Sequence, residues 1–381
     1  MSAPAPPGAL AIGIDCRFIH ERWDGIGRYS YSLLAGLCGM AGAHRIVAFV
    51  DAAHPNRLDQ LNGFVRSGKL QIQPIEFSAF HPRAIWRWRV ILREHPVDRF
   101  YMPYHVWAPV RLPCPLISMV YDQIFDRYPR YMPHGYLWPL YKLASYLAIR
   151  RSDRIITCSH ATERDIVRFT GVDGHKITVI PLGVDARFRP VHDPHQRQIV
   201  RTRYGLPEKF VLALGTRRPH KNINRLVAGF AHIAGDVPQT LVIVGPTGGG
   251  ARLRSRTIAA LTRQRRIIEL QYVEERDLAA LYSMAELFVQ PSIIEGFGLP
   301  VLEAMACGCP VACSNTTSLP EVAGDAALLF DPISVPALAA ALRQALLSSD
   351  LRHDLSQRGL RRAGQFSWEQ TVATTMIIFQ R

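Results

Sequence analysis

Acidic residues are scarce in this 381-residue chain: 31 Asp and Glu stand against 45 Lys and Arg, a formal charge of +14. The imbalance points to a partner of opposite sign, which nucleic acid, anionic membrane and phosphorylated small molecules would all supply. No run of about 18 uninterrupted apolar residues exists. The closest approach, Tyr136 to Ile149, is broken by Pro139 and Lys142, so no membrane span is expected. The opening MSAPAPPGALAIGID lacks a positive n-region and runs straight into a strand-like stretch, which argues against a signal peptide and for a cytosolic protein. The seven cysteines are odd in number and contain no C-x-x-C pair. Structural thiols in a reducing compartment are expected rather than disulfides or zinc, and only Cys307, Cys309 and Cys313 cluster enough to merit a metal assay. Zinc spacing, an RNP-like motif and a long basic arm are all missing, so a nucleic-acid partner is not expected.

The cations sit in three clusters. HPRAIWRWRVILR (81–93) and RYPRYMPHGYLWPLYK (127–142) mix arginine with aromatic rings, which suits an anionic membrane surface. Trp86 and Trp88 as core residues with solvated arginines between them is an equal alternative. ARLRSRTIAALTRQRR (251–266) has no aromatic residue and reads as a solvated helix face.

Length favours roughly two domains, and two blocks share one grammar of strand, glycine loop and amphipathic helix. LAIGID leads to DGIGRYSYSLLAGLCG, and FVLALGT (210–216) leads to RRPHKNINRLVAGFAHI. Ile26, Tyr29, Ser30, Leu33, Leu34 and Leu37 line one helix face; Ile223, Leu226, Val227 and Phe230 line the other. Further strands are expected at 45–50, 116–122, 154–159, 176–183, 240–245, 267–273, 286–292 and 309–315. Ser159 should cap a helix that Gly171 stops. The fold class is therefore α/β, two Rossmann-like doubly wound domains facing a cleft. The polar segment 191–205 reads as linker between a domain at 1–190 and one at 206–365, with 366–381 a final helix.

Glu295 and Glu303 bracket a Gly-Phe-Gly turn in PSIIEGFGLPVLEAMACGCP (291–310). Pro300 fits the first turn of a helix that Gly308 ends, which puts Glu295 in the loop and Glu303 one turn inside. Gly296 and Gly298 leave backbone N–H groups uncovered beside a helix N-terminus, an anion site. Two carboxylates near it would take hydroxyls, and a phosphorylated, polyhydroxylated ligand describes a nucleotide sugar; a plain glycine turn with Glu303 a solvated helical residue is an equal alternative. Arg217, Arg218 and Lys221 in GTRRPHKN follow a strand and suit a diphosphate. The turn DGIGR (24–28) lacks the third glycine of a dinucleotide fingerprint, so a Rossmann dehydrogenase is not supported; an approach of Gly27 to phosphate stays open.

The run from Val273 to Pro332, together with DGIGRYSYSLL, CSHATERDI, KITVIPLGVD and FSWEQ, resembles the retaining glycosyltransferases of family 4, which have the GT-B fold. The resemblance implies roles residue by residue. Glu295 would contact donor-sugar hydroxyls, with the amides of Gly296, Phe297, Gly298 and Leu299 around sugar and phosphate, and Glu303 would hold the ribose. Lys221, with Arg217 or Arg218, would hold the diphosphate as leaving group, without a metal or other cofactor. Gly27 would approach the phosphates from the N-terminal, acceptor-side domain, and the final helix around Trp368 would cross back to that domain. Tyr121-Asp122 stands where many members have His-Asp, and a phenol with a pKa of about 10 is a poor proton carrier near neutrality. Tyr272 and Val273 are candidates for the base pocket.

The expected activity is hexose transfer, with mannose from GDP-mannose favoured over UDP-sugars, to a lipid-linked glycan in polysaccharide biosynthesis. It would take place in the cytoplasm at the inner face of the cytoplasmic membrane, with peripheral contact to anionic lipid. A nucleotide-sugar 2-epimerase of the same fold, or a basic nucleic-acid-binding protein, are the alternatives.

Overall fold

The computed structural model describes residues 9–19, 25–40, 42, 44–53, 58–78, 84–132, 134–246 and 256–381. Two units share the chain: the first runs to Gly183 and takes back Trp368–Arg381, and the second is Val184–Ser367.

The first unit holds β1 (Ala11–Asp15), β2 (Arg45–Asp51), β3 (Leu70–Ile75), β4 (Arg99–Met102), β5 (Leu116–Val120), β6 (Arg154–Thr157) and β7 (Ile177–Val179). They form a parallel sheet in the order β3-β2-β1-β4-β5-β6-β7. The second unit holds β8 (Phe210–Leu214), β9 (Thr240–Val244), β10 (Ile267–Leu270), β11 (Leu287–Gln290), β12 (Val311–Ser314) and β13 (Ala327–Phe330). Its order is β10-β9-β8-β11-β12-β13, again parallel. Inner strands such as LISMV and TLVIV are buried along their whole length, because helices cover both faces of a parallel sheet. In each order the winding reverses once, between β1 and β4 and between β8 and β11. Loops diverge there at the carboxyl edge and leave room for a ligand.

Helix Gly25–Gly39 buries Tyr29, Ser30, Leu33, Leu34 and Leu37, and helix Ile223–Ile233 buries Ile223, Leu226, Val227 and Phe230. Ser159 caps helix His160–Thr170 by accepting a hydrogen bond from the Thr162 amide at 3.2 Å, and Gly171 ends it at φ 62°. Helix Trp368–Gln380 lies against Gly25–Gly39 so closely that a Cβ on Gly36 would stand 2.4 Å from a Val372 methyl.

Two segments differ from the sequence reading. The stretch expected as linker carries helix Pro194–Tyr204 within the second unit, and the chain crosses between units at Gly183–Val184 and Ser367–Trp368. That helix buries only Val200, so apolar spacing does not announce it. The Asp193 cap starts it, and Arg203 (2.5 Å) and the Tyr204 hydroxyl (2.7 Å) donate to Asp277. The tryptophans divide between their two readings: Trp88 is fully buried among Phe49, Phe77 and Phe100, whereas Trp86 is 65% exposed. Truncating a core ring of that size costs about 3–5 kcal/mol, which marks Trp88 as a core residue. Residues 251–255 of the third basic cluster lie outside the described residues, as do 81–83 of the first, 133 of the second and Asp24 of the DGIGR turn.

Candidate functional site

The loops after β8 and β11, on either side of the second unit's switch point, are stitched together before any functional side chain is placed. After β8 the chain passes Gly215 and Arg218 into a short turn, Pro219–Lys221. Asn222 then takes φ 58°, a left-handed conformation that a short amide side chain tolerates. The buried Asn222 amide donates to the Pro291 and Pro332 carbonyls at 2.9 and 2.7 Å, and the Ile293 amide donates to the His220 carbonyl at 2.8 Å.

Across this seam Lys221 Nζ donates to both Glu295 carboxylate oxygens, Oε1 at 2.7 Å and Oε2 at 3.0 Å. Gln290, the last residue of β11, donates through Nε2 to Glu295 Oε1 and to Ser292 Oγ, each at 2.8 Å. The loop after β12 fixes the backbone: the Glu295 amide donates to Thr317 Oγ1 at 3.0 Å, and Ser318 Oγ donates to the Glu295 and Phe297 carbonyls at 2.9 and 2.8 Å. Burial by itself raises the Glu295 carboxyl, but the charge of Lys221 and hydrogen bonds from Lys221 and Ser292 outweigh it. The group is held below its usual 4.5 and is anionic at neutral pH. Beside it, burial and the Lys221 charge push the His220 imidazole down to about 4, so it is neutral.

Gly298 precedes helix Leu299–Ala306 at φ 115°, where a Cβ would also stand 2.7 Å from a Leu319 methyl. No side chain caps that helix start; Pro300 has no N–H, and the Val301 and Leu302 amides donate to the Gly298 carbonyl at 2.9 and 3.3 Å. Glu303 is not a solvated helical residue: it is 4% exposed, and the Tyr282 hydroxyl donates to its Oε2 at 2.9 Å. The two arginines also part company. Arg217 is of intermediate burial, its side chain 6% exposed and paired with Glu269 at 2.8 Å, whereas Arg218 is exposed. Tyr272 is 69% exposed and Val273 is buried.

Gly27, Tyr121 and Asp122 belong to the first unit. Gly27 lies in the first turn of Gly25–Gly39, Tyr121 meets the ring of Tyr29 edge-on at 5.5 Å, and Asp122 accepts from the Ile124 amide at 3.1 Å. Among the described residues no group of three His, Cys, Asp or Glu could hold a metal ion. Burial pushes the Cys307 and Cys313 thiols up to about 12, so neither offers a thiolate. Sequence reasoning missed Gln290, Thr317, Ser318 and Tyr282; a glutamine ending an otherwise apolar strand was the one available signal.

Two Rossmann-like units in one chain are those of a GT-B glycosyltransferase fold. The family profile "Glycosyl transferases group 1" matches residues 196–362, and "Glycosyltransferase Family 4" matches residues 23–188. The O-antigen chain mannosyltransferase B of Escherichia coli is 32% identical over 367 residues, 92% of this chain and 94% of that protein. The chain therefore belongs to the family 4 glycosyltransferases and is a hexosyltransferase. Among solved structures, sucrose-phosphate synthase from Thermosynechococcus elongatus superposes with a TM-score of 0.74 at 21% identity, over 98% of each chain. Anabaena HepE in complex with UDP and glucose gives 0.70 at 17% identity, over 97% of this chain and 99% of that one. At these identities the likeness is one of fold.

Proposed function

We propose that this chain is a retaining mannosyltransferase that moves mannose from GDP-mannose to a hydroxyl of a lipid-linked glycan in polysaccharide biosynthesis. The observation that carries the reading is the Lys221–Glu295 pair, a cation and a carboxylate joined at 2.7 Å where one ligand would bring both phosphate and hydroxyls. Mannose is favoured by the likeness to the O-antigen mannosyltransferase, and UDP-sugars stand next because HepE was solved with UDP.

In this reading Glu295 accepts hydrogen bonds from donor-sugar hydroxyls, and the amides of 296–299 face sugar and phosphate. Glu303, steadied by Tyr282, takes the ribose, and Tyr272 and Val273 border the base. Lys221 and Arg218 neutralise the diphosphate; Arg217 is committed to Glu269. Gly27, Tyr121 and Asp122 serve from the first unit. The bond from C1 to the diphosphate oxygen breaks as the acceptor oxygen bonds C1 on the same face, and the hydroxyl proton passes to the leaving oxygen. Neutralising the charge that develops on that oxygen is the largest electrostatic contribution to be expected.

The enzyme works peripherally at the inner face of the cytoplasmic membrane. No helix among the described residues is long and apolar enough to cross a membrane. Helix Trp138–Arg151 instead leaves Leu140 (52%) and Leu143 (55%) exposed, and Tyr136 just before it is 78% exposed. Lys142 and Arg150 lie over the rings of Trp138 and Tyr146 at 4.9 and 5.5 Å. Apolar groups with cations beside them suit anionic headgroups.

A thermal-shift panel of nucleoside diphosphates and their sugars tests the reading. A ligand at a hundred times its Kd stabilises the native state by about 2.7 kcal/mol. GDP-mannose should raise Tm; no shift with any nucleotide sugar would contradict the donor site.

A further inference from the structure

We infer that Gln290 is the positioning residue for Glu295, holding its carboxylate in place when Lys221 turns to the donor diphosphate. The inference rests on the reading of Glu295 as the sugar-binding carboxylate. A carboxylate offers about four acceptor directions. In this structure Lys221 occupies both oxygens, Gln290 occupies Oε1, and the Ser292 hydroxyl also bonds the group. Little capacity is left for a sugar hydroxyl while Lys221 stays. A diphosphate carries more charge than one carboxylate and draws Lys221 away, which frees acceptor capacity on both oxygens. The same event removes the strongest restraint on the Glu295 side chain.

Gln290 is built to take over that restraint. It closes β11, whose backbone is paired to both β8 and β12, and its side chain is 1% exposed. The atom facing Glu295 must be Nε2, since an anionic carboxylate only accepts. Nε2 forks onto Glu295 Oε1 and Ser292 Oγ, so Oε1 stays tethered and Oε2 is left for the hydroxyl. The cost is visible at the other end of the amide: Oε1 of Gln290 is buried without a hydrogen-bond partner. An unpaired buried oxygen is destabilising, and an apolar side chain of the same shape would avoid it. The polar residue is there for what its nitrogen does.

Gln290→Met, close in shape, separates this role from a structural one. GDP-mannose turnover is measured as release of GDP, with and without mannotriose as acceptor probe, alongside competitive inhibition by GDP and Tm. Expected are a kcat/KM for GDP-mannose lowered tenfold or more, an inhibition constant for GDP within twofold of wild type, and a Tm equal to or above it. Gln290→Glu supplies a second readout. Two adjoining carboxylates share a proton, so its activity should persist near pH 5.5 and fall towards pH 7.5, unlike wild type. Wild-type kcat/KM in Gln290→Met, or equal losses of GDP affinity and turnover, would overturn the assignment to Gln290 alone. A wild-type protein that binds GDP but turns over no nucleotide sugar would remove the transferase reading, and the inference with it.

Discussion

Lys221 Nζ and the Glu295 carboxylate meet at 2.7 and 3.0 Å across 74 residues of sequence, joining the loops that leave β8 and β11. Both side chains are mostly covered, at 23% and 11% exposure, so the pair is held by the protein rather than by solvent.

Removing one partner should cost more than removing both. Lys221→Met leaves a covered carboxylate without its counter-ion, which costs about 3 kcal/mol, the low end for a buried pair. The double variant Lys221→Met/Glu295→Leu leaves no charge behind and should recover part of that loss. Urea unfolding of the two variants against wild type checks the order. A double variant less stable than Lys221→Met would show that the pair is not coupled as described.

Acid should weaken the second unit through His220. Its pKa falls from the usual 6.5 to about 4, so between those values the unfolded chain binds a proton that the folded chain refuses. Stability from this group is therefore complete above pH 6.5 and lost as pH drops towards 4, roughly 3 kcal/mol in all. Glu295, held below 4.5, adds a loss of the same sign at still lower pH. His105 in the first unit, pushed to about 4 by burial, acts over the same window as His220. His220→Gln should flatten the dependence of the urea midpoint on pH between 7 and 4.5 by about half. An unchanged slope would mean that His220 is not buried neutral.

Membrane contact should depend on the exposed leucines more than on the net charge. Leu140→Glu/Leu143→Glu alters two side chains that make little contact with the core, so Tm should stay near wild type. Burying one leucine is worth about 1.5–3 kcal/mol, so the double variant should float with anionic vesicles at least tenfold less well at low salt. Flotation equal to wild type would remove helix Trp138–Arg151 as the contact face.

The parts of the fold that sequence makes legible are those whose signal is local. The glycine loops, the apolar faces of Gly25–Gly39 and Ile223–Ile233, and the Ser159 and Gly171 helix ends all follow from spacing of a few residues. The strands β3, β4 and β13 do not. β3 carries Pro74, which an edge strand tolerates, and β4 (RFYM) and β13 (ALLF) hold no β-branched residue. Helix Pro194–Tyr204 escapes because polar contacts to Asp277, not an apolar stripe, hold it. In the candidate site, the strip from Glu295 to Glu303 is visible as a motif. Its coupling to Lys221, the burial of Glu303 under Tyr282 and the separation of Arg217 from Arg218 are not, since each depends on a partner far away in sequence.

In the proposed reaction Glu295 orients the donor sugar during transfer. The direct measurement is mannose transfer from GDP-mannose to a mannose-terminated acceptor by wild type and by Glu295→Ala, with the anomeric configuration of the product read by NMR. An α-linked product is expected from wild type, and a loss of a hundredfold or more in Glu295→Ala, on the order of 3 kcal/mol. Wild-type transfer by a folded Glu295→Ala variant, or a β-linked product, would contradict it.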